Sequence, residues 1–189
     1  MLVVIEGIDG CGKETQMKLL SNFPQFKYPT KNNSRINEYL TKKINIDPKS
    51  LFLLFLSDIL EEQGKIMEEI NQNKIVFLDR YVFSTIAYET GVLGKDNAKK
   101  IVSSLNFLIP DKIIYLDILP EEAQKRKKNQ KILDRYEENL VYQKSVRGNF
   151  LKLYEERYLT SNWHKIDASM SIEEVHREIA KIVGIAPLV

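Results

Sequence analysis

Cysteine is almost absent from this 189-residue chain, with Cys11 the only one. No disulfide can close within the chain, which fits a reducing cytoplasm. Two histidines beside that one cysteine also leave the usual structural zinc sets unbuildable. Long apolar runs are missing. The longest, Leu51–Leu56, falls far short of the ~20 residues a membrane span needs. The first apolar stretch has no basic leader and is interrupted by Glu6, so no signal peptide is expected. Neither sign of charge dominates: the net formal charge is +2. That argues against general nucleic-acid binding and leaves anions to local clusters. Glycine and proline are modest, and there is no internal repeat, low-complexity segment or splitting linker. With 43% apolar and 29% charged residues, disorder, collagen and coiled coil are excluded, and the length suits one domain spanning 1–189.

What is present is an alternation of short apolar runs and helical spacing. Leu2–Ile5 reads Leu-Val-Val-Ile without alternation, as a strand buried on both faces of a parallel sheet does. A glycine-containing loop, Gly7–Gly12, separates it from a helix that places Met17 and Leu20 on one face. Similar strands are expected at Ile75–Leu78 and Ile113–Leu116, each followed by an aspartate, with a weaker one at His164–Ile166. Helical spacing covers Pro48–Asn71, Phe83–Gly91, Asp96–Leu108, Pro120–Lys128, Tyr136–Tyr158 and Ser171–Val183. Strands alternating with helices predict an α/β domain with a parallel sheet covered on both faces.

Gly7-Ile-Asp-Gly-Cys-Gly12-Lys13 fits G-x-x-x-x-G-K between a strand and a helix, the context of a phosphate-binding loop. Polyphosphate needs many N–H donors pointing inward, which a tight glycine turn at a helix N-terminus offers. Lys13 adds a full charge for the β- and γ-phosphates. The next position normally carries a hydroxyl for Mg²⁺, but here it is Glu14, followed by Thr15. Glu14 either takes the hydroxyl's place, leaves the metal to Asp79 and phosphate oxygens, or faces solvent as a first-turn acid. Asp79 ends an apolar strand, where ligands bind in open α/β sheets, and could equally cap the next helix. Arg80 follows and can clamp a second phosphate bidentately.

These residues resemble the thymidylate kinase family. Glu6-Gly-Ile-Asp-Gly-Cys-Gly-Lys-Glu-Thr-Gln16 is similar to its EGxDGxGKxTQ loop, and Asp79-Arg-Tyr-Val-Phe-Ser-Thr-Ile-Ala-Tyr88 to its DRYxxSxxAY segment. Leu133-Asp-Arg-Tyr-Glu137 resembles its lid, and Ile166–Val175 its C-terminal IDA…EEV segment. The resemblance implies a P-loop NTPase fold with five parallel strands, helices on both faces and a helical lid at about 124–137. It implies transfer of the γ-phosphoryl of ATP to dTMP, giving dTDP and ADP, with Mg²⁺ and in a cytoplasmic homodimer. Gly7, Ile8, Asp9, Gly10, Cys11, Gly12, Lys13, Glu14 and Thr15 become the ATP-binding loop, and Asp79 with Glu14 the metal ligands. Asp9, Lys31, Phe55, Arg80, Ser84, Thr85 and Tyr88 become the acceptor-nucleotide contacts, Phe55 as the aromatic that stacks on the base. Phe55 and Phe52, three residues apart, suit a core equally well. Ser84 and Tyr88 share a helical face with Arg80, which points independently to one site. The loop carries no arginine, whereas the basic stretch Lys125–Lys128, extended by Lys131 and Arg135, does. Arg126 and Arg135 are therefore the candidates, with Lys13 and Arg80, for stabilising the transferring phosphoryl.

Three positions depart from the family pattern. Ile59 stands where an arginine usually follows the stacking aromatic, Tyr28-Pro29-Thr30-Lys31 where Phe-Pro is followed by an arginine, and Glu89 where glutamine ends the AYQ sequence. With Glu14, they allow a kinase of relaxed base choice on another pyrimidine monophosphate, or a non-catalytic nucleotide-binding homologue. No nucleic-acid or membrane partner is expected. Cys11 reads as a small residue packed in a tight loop, and the Pro48–Asn71 helix as a surface that could meet a partner subunit.

Overall fold

The computed structural model describes residues 1–127, 136 and 139–187. Leu2–Glu6 (β1) leads through the glycine loop into Lys13–Leu19 (α1). Gln25–Lys27 (β2), Ser34–Leu40 (α2), Pro48–Leu60 (α3) and Gln63–Asn71 (α4) precede Val76–Asp79 (β3). Val82–Leu93 (α5) and Lys95–Ser104 (α6) lead to Lys112–Asp117 (β4). Pro120–Lys127 (α7), Leu140–Glu155 (α8), Trp163–Asp167 (β5) and Ile172–Val183 (α9) complete the described chain.

The five strands form one parallel sheet in the order β2-β3-β1-β4-β5. Every residue of β1 and β3 is buried. Side chains alternate between the two faces of a strand, so both faces must be covered. α1 packs against α9, while α5 packs against α3, α6 and α8. The strands at Leu2–Ile5, Ile75–Leu78 and Ile113–Leu116, and the weaker one before Asp167, are thus where the apolar runs placed them.

The fifth strand is β2, which sequence spacing missed. It is three residues long at the sheet edge and only Phe26 turns partly inward, so it carries no apolar run. The short helix α2 was missed for a similar reason: Ile36 is its one buried residue, and its start is set by the Asn33 side chain accepting from the Ile36 N–H.

The expected helix Pro48–Asn71 is two helices, α3 and α4, which is a correction. The Gln63 side chain fills the break. Its amide donates to the Ile59 carbonyl at the end of α3, and its oxygen accepts from the Tyr81 hydroxyl and the Leu108 N–H. The buried positions Phe52, Leu56, Ile59 and Ile66 keep helical phase across the break, which hides it from any periodicity argument. α8 starts at Leu140, later than the expected Tyr136, because the Asn139 side chain caps it through the Tyr142 N–H. Of the expected lid at 124–137, residues 124–127 belong to α7 and Tyr136 is described. Arg135, Lys128 and Lys131 lie outside the described residues.

Candidate active site

β1 and β3 run side by side, with Ile5 next to Asp79, so the loop after β1 and the Asp79-Arg80 pair emerge at the same edge. The loop is shaped by its glycines. Gly7 has φ +146° and a Cβ there would lie 2.6 Å from the Leu116 carbonyl oxygen; Gly10 has φ +82° and would meet the Ala123 carbonyl oxygen at 2.7 Å. Cys11 is buried and fills the space beside Gly7, as its small size suggested. Lys13 is buried, and its ammonium donates to the carbonyls of Gly7 (2.8 Å) and Ile8 (2.9 Å). It therefore sits within the loop curve where phosphate oxygens would compete for it.

Asp79 is buried at the end of β3. Its Oδ2 lies 3.6 Å from Lys27 Nζ, and its Oδ1 has no hydrogen-bond partner. A carboxylate oxygen left unspent in a cleft lined by the glycine loop fits a hard cation. Glu14 faces the same cleft but is 67% exposed and pairs with Lys18 at 3.2 Å, which holds its carboxyl below the usual carboxylate range. In this structure it is a solvent-facing first-turn acid.

Arg80 adopts a left-handed φ of +72° while its N–H still bonds the Ile5 carbonyl. Its guanidinium donates to the Gly7 carbonyl (3.2 Å), the Ser84 hydroxyl (2.9 Å), Asp9 and, at 3.4 Å, the Tyr88 hydroxyl. Tyr88 in turn donates to Asp9 at 2.7 Å. Burial opposes a charge on Asp9, but Arg80, Lys13 and Lys127, with the Tyr88 hydroxyl, outweigh it and hold the carboxyl well below the usual range. Ser84 and Tyr88 share a face of α5 as expected, but Arg80 precedes the helix and joins them through its guanidinium rather than by helical phase; the cluster closes on the glycine loop through Asp9.

Beside this cluster opens an apolar cavity bounded by Phe55, Ile59, Thr85, Tyr88 and Glu89. The choice left open for the two phenylalanines is decided here: Phe52 is fully buried in the core, whereas Phe55 is half-buried and lines the cavity. Lys31 is exposed and lines the larger cleft next to the cavity. Arg126 lines the same cleft as Lys13 and Arg80 and donates to the Ser169 carbonyl at 3.5 Å. Among the described residues of the basic stretch, Lys127 acts on Asp9.

The match to known proteins is broad. The family model described as "Thymidylate kinase" matches residues 5–179. The chain belongs to the thymidylate kinase family. A probable thymidylate kinase from Methanocaldococcus jannaschii is 37% identical, with 95% of this chain and 93% of the relative covered. A thymidylate kinase from Dictyostelium discoideum is 32% identical over 96% of this chain and 84% of its own length. The solved structure of thymidylate kinase from Candida albicans superposes with a TM-score of 0.84 at 27% identity, covering 97% of this chain and 90% of that one. The P-loop kinase fold, with its five parallel strands, is the one the sequence predicted.

Several contacts that build the site escaped sequence reasoning. Glu6 is fully buried under the site; its carboxylate accepts from the N–H groups of Tyr81 (2.8 Å) and Ser84 (3.2 Å) and from the Ser84 hydroxyl (2.6 Å). It thereby fixes the turn that carries Arg80. An acid ending an apolar strand was the available signal. Asp58 accepts from the N–H and the hydroxyl of Thr30, at 2.7 and 2.6 Å, and so anchors the loop that carries Lys31. Glu89 accepts from the Tyr136 hydroxyl at 2.6 Å, and Tyr136 stacks on Tyr142. Neither pairing leaves a trace in local spacing.

Burial pushes the Glu6 carboxyl up to about 7, against the Ser84 hydrogen bond and the charges of Arg80 and Lys13. The folded chain therefore holds this proton longer than the unfolded chain, whose value is 4.5. Glu6's contribution to stability is full below 4.5 and is lost as pH rises towards 7. Denaturant melts should show wild type losing ground to Glu6→Gln across that window. A stability difference that does not change with pH would contradict this.

Proposed function

We propose that this chain transfers the γ-phosphoryl of ATP to dTMP, giving dTDP and ADP. The observation that carries this reading is the Asp9–Arg80–Tyr88 cluster, which forms a wall shared by two spaces. On one side lies the cleft lined by the glycine loop and Lys13, sized and charged for a triphosphate. On the other lies the apolar cavity with Phe55, suited to a flat base. An acceptor phosphate held at Arg80, with Lys31 nearby, then faces the terminal phosphoryl held at Lys13. An acceptor oxygen forms the new P–O bond as the bond from the γ-phosphorus to the bridging oxygen breaks, and ADP departs with that electron pair. Lys13 stabilises charge on the donor, and Asp9 orients Arg80 and can accept from the acceptor's sugar hydroxyl. Ser84, Thr85 and Tyr88 line the sugar and base. Lys127, Arg126 and Arg135 supply further positive charge as the lid closes. Mg²⁺, held by Asp79 and the substrate phosphates with Glu14 within the same cleft, would neutralise charge on the donor phosphates.

A homodimer accompanies this reading. Leu53, Leu60 and Met67 are exposed at seven-residue intervals along α3 and α4, which suits a second copy. A monomeric mass in sedimentation would refute it. We place the enzyme in the cytoplasm, consistent with its single buried cysteine. Among the described residues no helix is long and apolar enough to cross a membrane.

Relaxed base choice is the second reading, favoured by Ile59 and Glu89 both lining the acceptor cavity. The test is ADP formation from ATP·Mg²⁺ with dTMP, dUMP, dCMP, dGMP and thymidine supplied separately. Preference for dTMP supports the first reading, comparable rates the second. No turnover with any acceptor indicates a nucleotide-binding homologue.

Glu14→Thr should keep Mg²⁺-dependent turnover within a few-fold of wild type. An exposed i,i+4 pair contributes only about 0.5 kcal/mol or less, so stability should barely move. Collapse of activity in a folded Glu14→Thr protein would give the carboxylate a role of its own.

A further inference from the structure

We propose that Lys27 is a donor-site residue that competes with the divalent cation for the Asp79 carboxylate and, once displaced, pairs with the donor phosphates. This rests on the ATP·Mg²⁺ reading above. Lys27 is the last residue of the edge strand β2, and the parallel register sets it opposite Asp79, the last residue of β3. The Tyr28 N–H donates to the Asp79 carbonyl at 3.0 Å, which fixes the two strand ends side by side. The Lys27 ammonium lies 3.6 Å from Asp79 Oδ2, and both residues line the same cleft as the glycine loop. After Lys18, Lys27 also helps to hold the Glu14 carboxyl below its usual range. It therefore stands near both acids assigned to the metal.

The two partners differ in freedom. The Lys27 side chain is 63% exposed and that of Asp79 only 5%, so the lysine can leave while the carboxylate stays. An ammonium on a flexible four-carbon stem, open to water and 3.6 Å from its partner, is weakly held. A divalent cation at the same carboxylate carries twice its charge and repels it. The other cations beside the glycine loop are fixed: Lys13 by the Gly7 and Ile8 carbonyls, and Arg80 by Asp9, Ser84 and the Gly7 carbonyl. Glu14, in place of a hydroxyl, adds a negative charge to the cleft that takes the triphosphate, and a lysine able to swing towards the phosphates offsets it.

Lys27→Met keeps the stem and removes the charge at an exposed edge position, where the fold should be unaffected. Two titrations at about 0.15 M salt, which screens distant charges, test the proposal. One adds Mn²⁺ alone and follows it by electron paramagnetic resonance; the other adds ATP with excess Mg²⁺ in a calorimeter. The expected shifts have opposite signs: Mn²⁺ binds about threefold to tenfold tighter than to wild type, and Mg²⁺·ATP about threefold to tenfold weaker. Lys27→Arg should restore the ATP affinity. Lys18→Met removes an equal charge that pairs with Glu14 instead, and should give neither shift. An unchanged Mn²⁺ affinity in Lys27→Met overturns the competition, and an unchanged ATP affinity overturns the phosphate contact. Both shifts appearing in Lys18→Met would reduce them to long-range charge and overturn the proposal as well. If wild type itself does not bind Mg²⁺·ATP, the reading of the cleft as an ATP site falls and this proposal falls with it.

Discussion

Lys13→Ala should lower kcat for dTMP phosphorylation by about a hundredfold to a thousandfold, the scale for losing one preorganised charged donor at the reacting centre. Lys13 is buried in the curve of the glycine loop, and its ammonium is held by two loop carbonyls rather than by a carboxylate. Those bonds are replaceable. Water entering from the open cleft can serve the Gly7 and Ile8 carbonyls, and removing a buried ammonium also removes its desolvation cost. The fold should therefore survive, with a stability change of no more than about 2 kcal/mol. Rate assays at saturating ATP and dTMP, beside circular dichroism, check both halves. Wild-type turnover in a folded Lys13→Ala protein would refute the assignment of the loop to ATP.

Arg80→Ala should be more damaging because it breaks two things at once. Asp9 keeps its charge in the folded chain largely through Arg80, and removing the guanidinium strands that carboxylate. Breaking this part-buried pair costs about 1–3 kcal/mol of stability. The acceptor phosphate loses its clamp as well, so kcat/KM for dTMP should fall at least about a thousandfold while the KM for ATP moves far less. The double change Asp9→Asn with Arg80→Ala separates the effects. It should recover most of the stability and none of the acceptor turnover. If the single variant alters ATP affinity alone, Arg80 belongs to the donor phosphates instead.

The central strands and the loop between β1 and α1 were legible because their signals are local. An unbroken apolar run marks a strand covered on both faces, and a glycine motif between strand and helix marks a phosphate cradle. The Ser84 and Tyr88 face was equally readable from helical spacing, whereas Arg80 reaches it from the turn before α5 through its guanidinium. The break between α3 and α4 was not, because Gln63 makes it through contacts to Tyr81 and Leu108, distant in sequence, while the apolar phase runs on. β2 escaped because an edge strand of three residues needs only one apolar side chain. Phe52 and Phe55 looked alike in sequence and differ only in what stands opposite them. Glu6 and Asp58 work by holding loops brought close by the sheet order, which no single stretch of sequence displays.

The order of the strands has a further effect, on how the chain acquires its shape. β1 is made first yet lies at the centre, and Val4 waits for Leu78 on one side and Ile113 on the other. At about 5–20 residues per second of synthesis, the most apolar segment of the sheet stays unpaired for several seconds after it leaves the ribosome. Closing such distant parallel pairs is also slow, because chain entropy is lost before the contacts form. The nascent chain is thus most vulnerable to aggregation before residue 113 emerges. A chaperone that shields Leu2–Glu6 would protect the same segment that later supports the glycine loop.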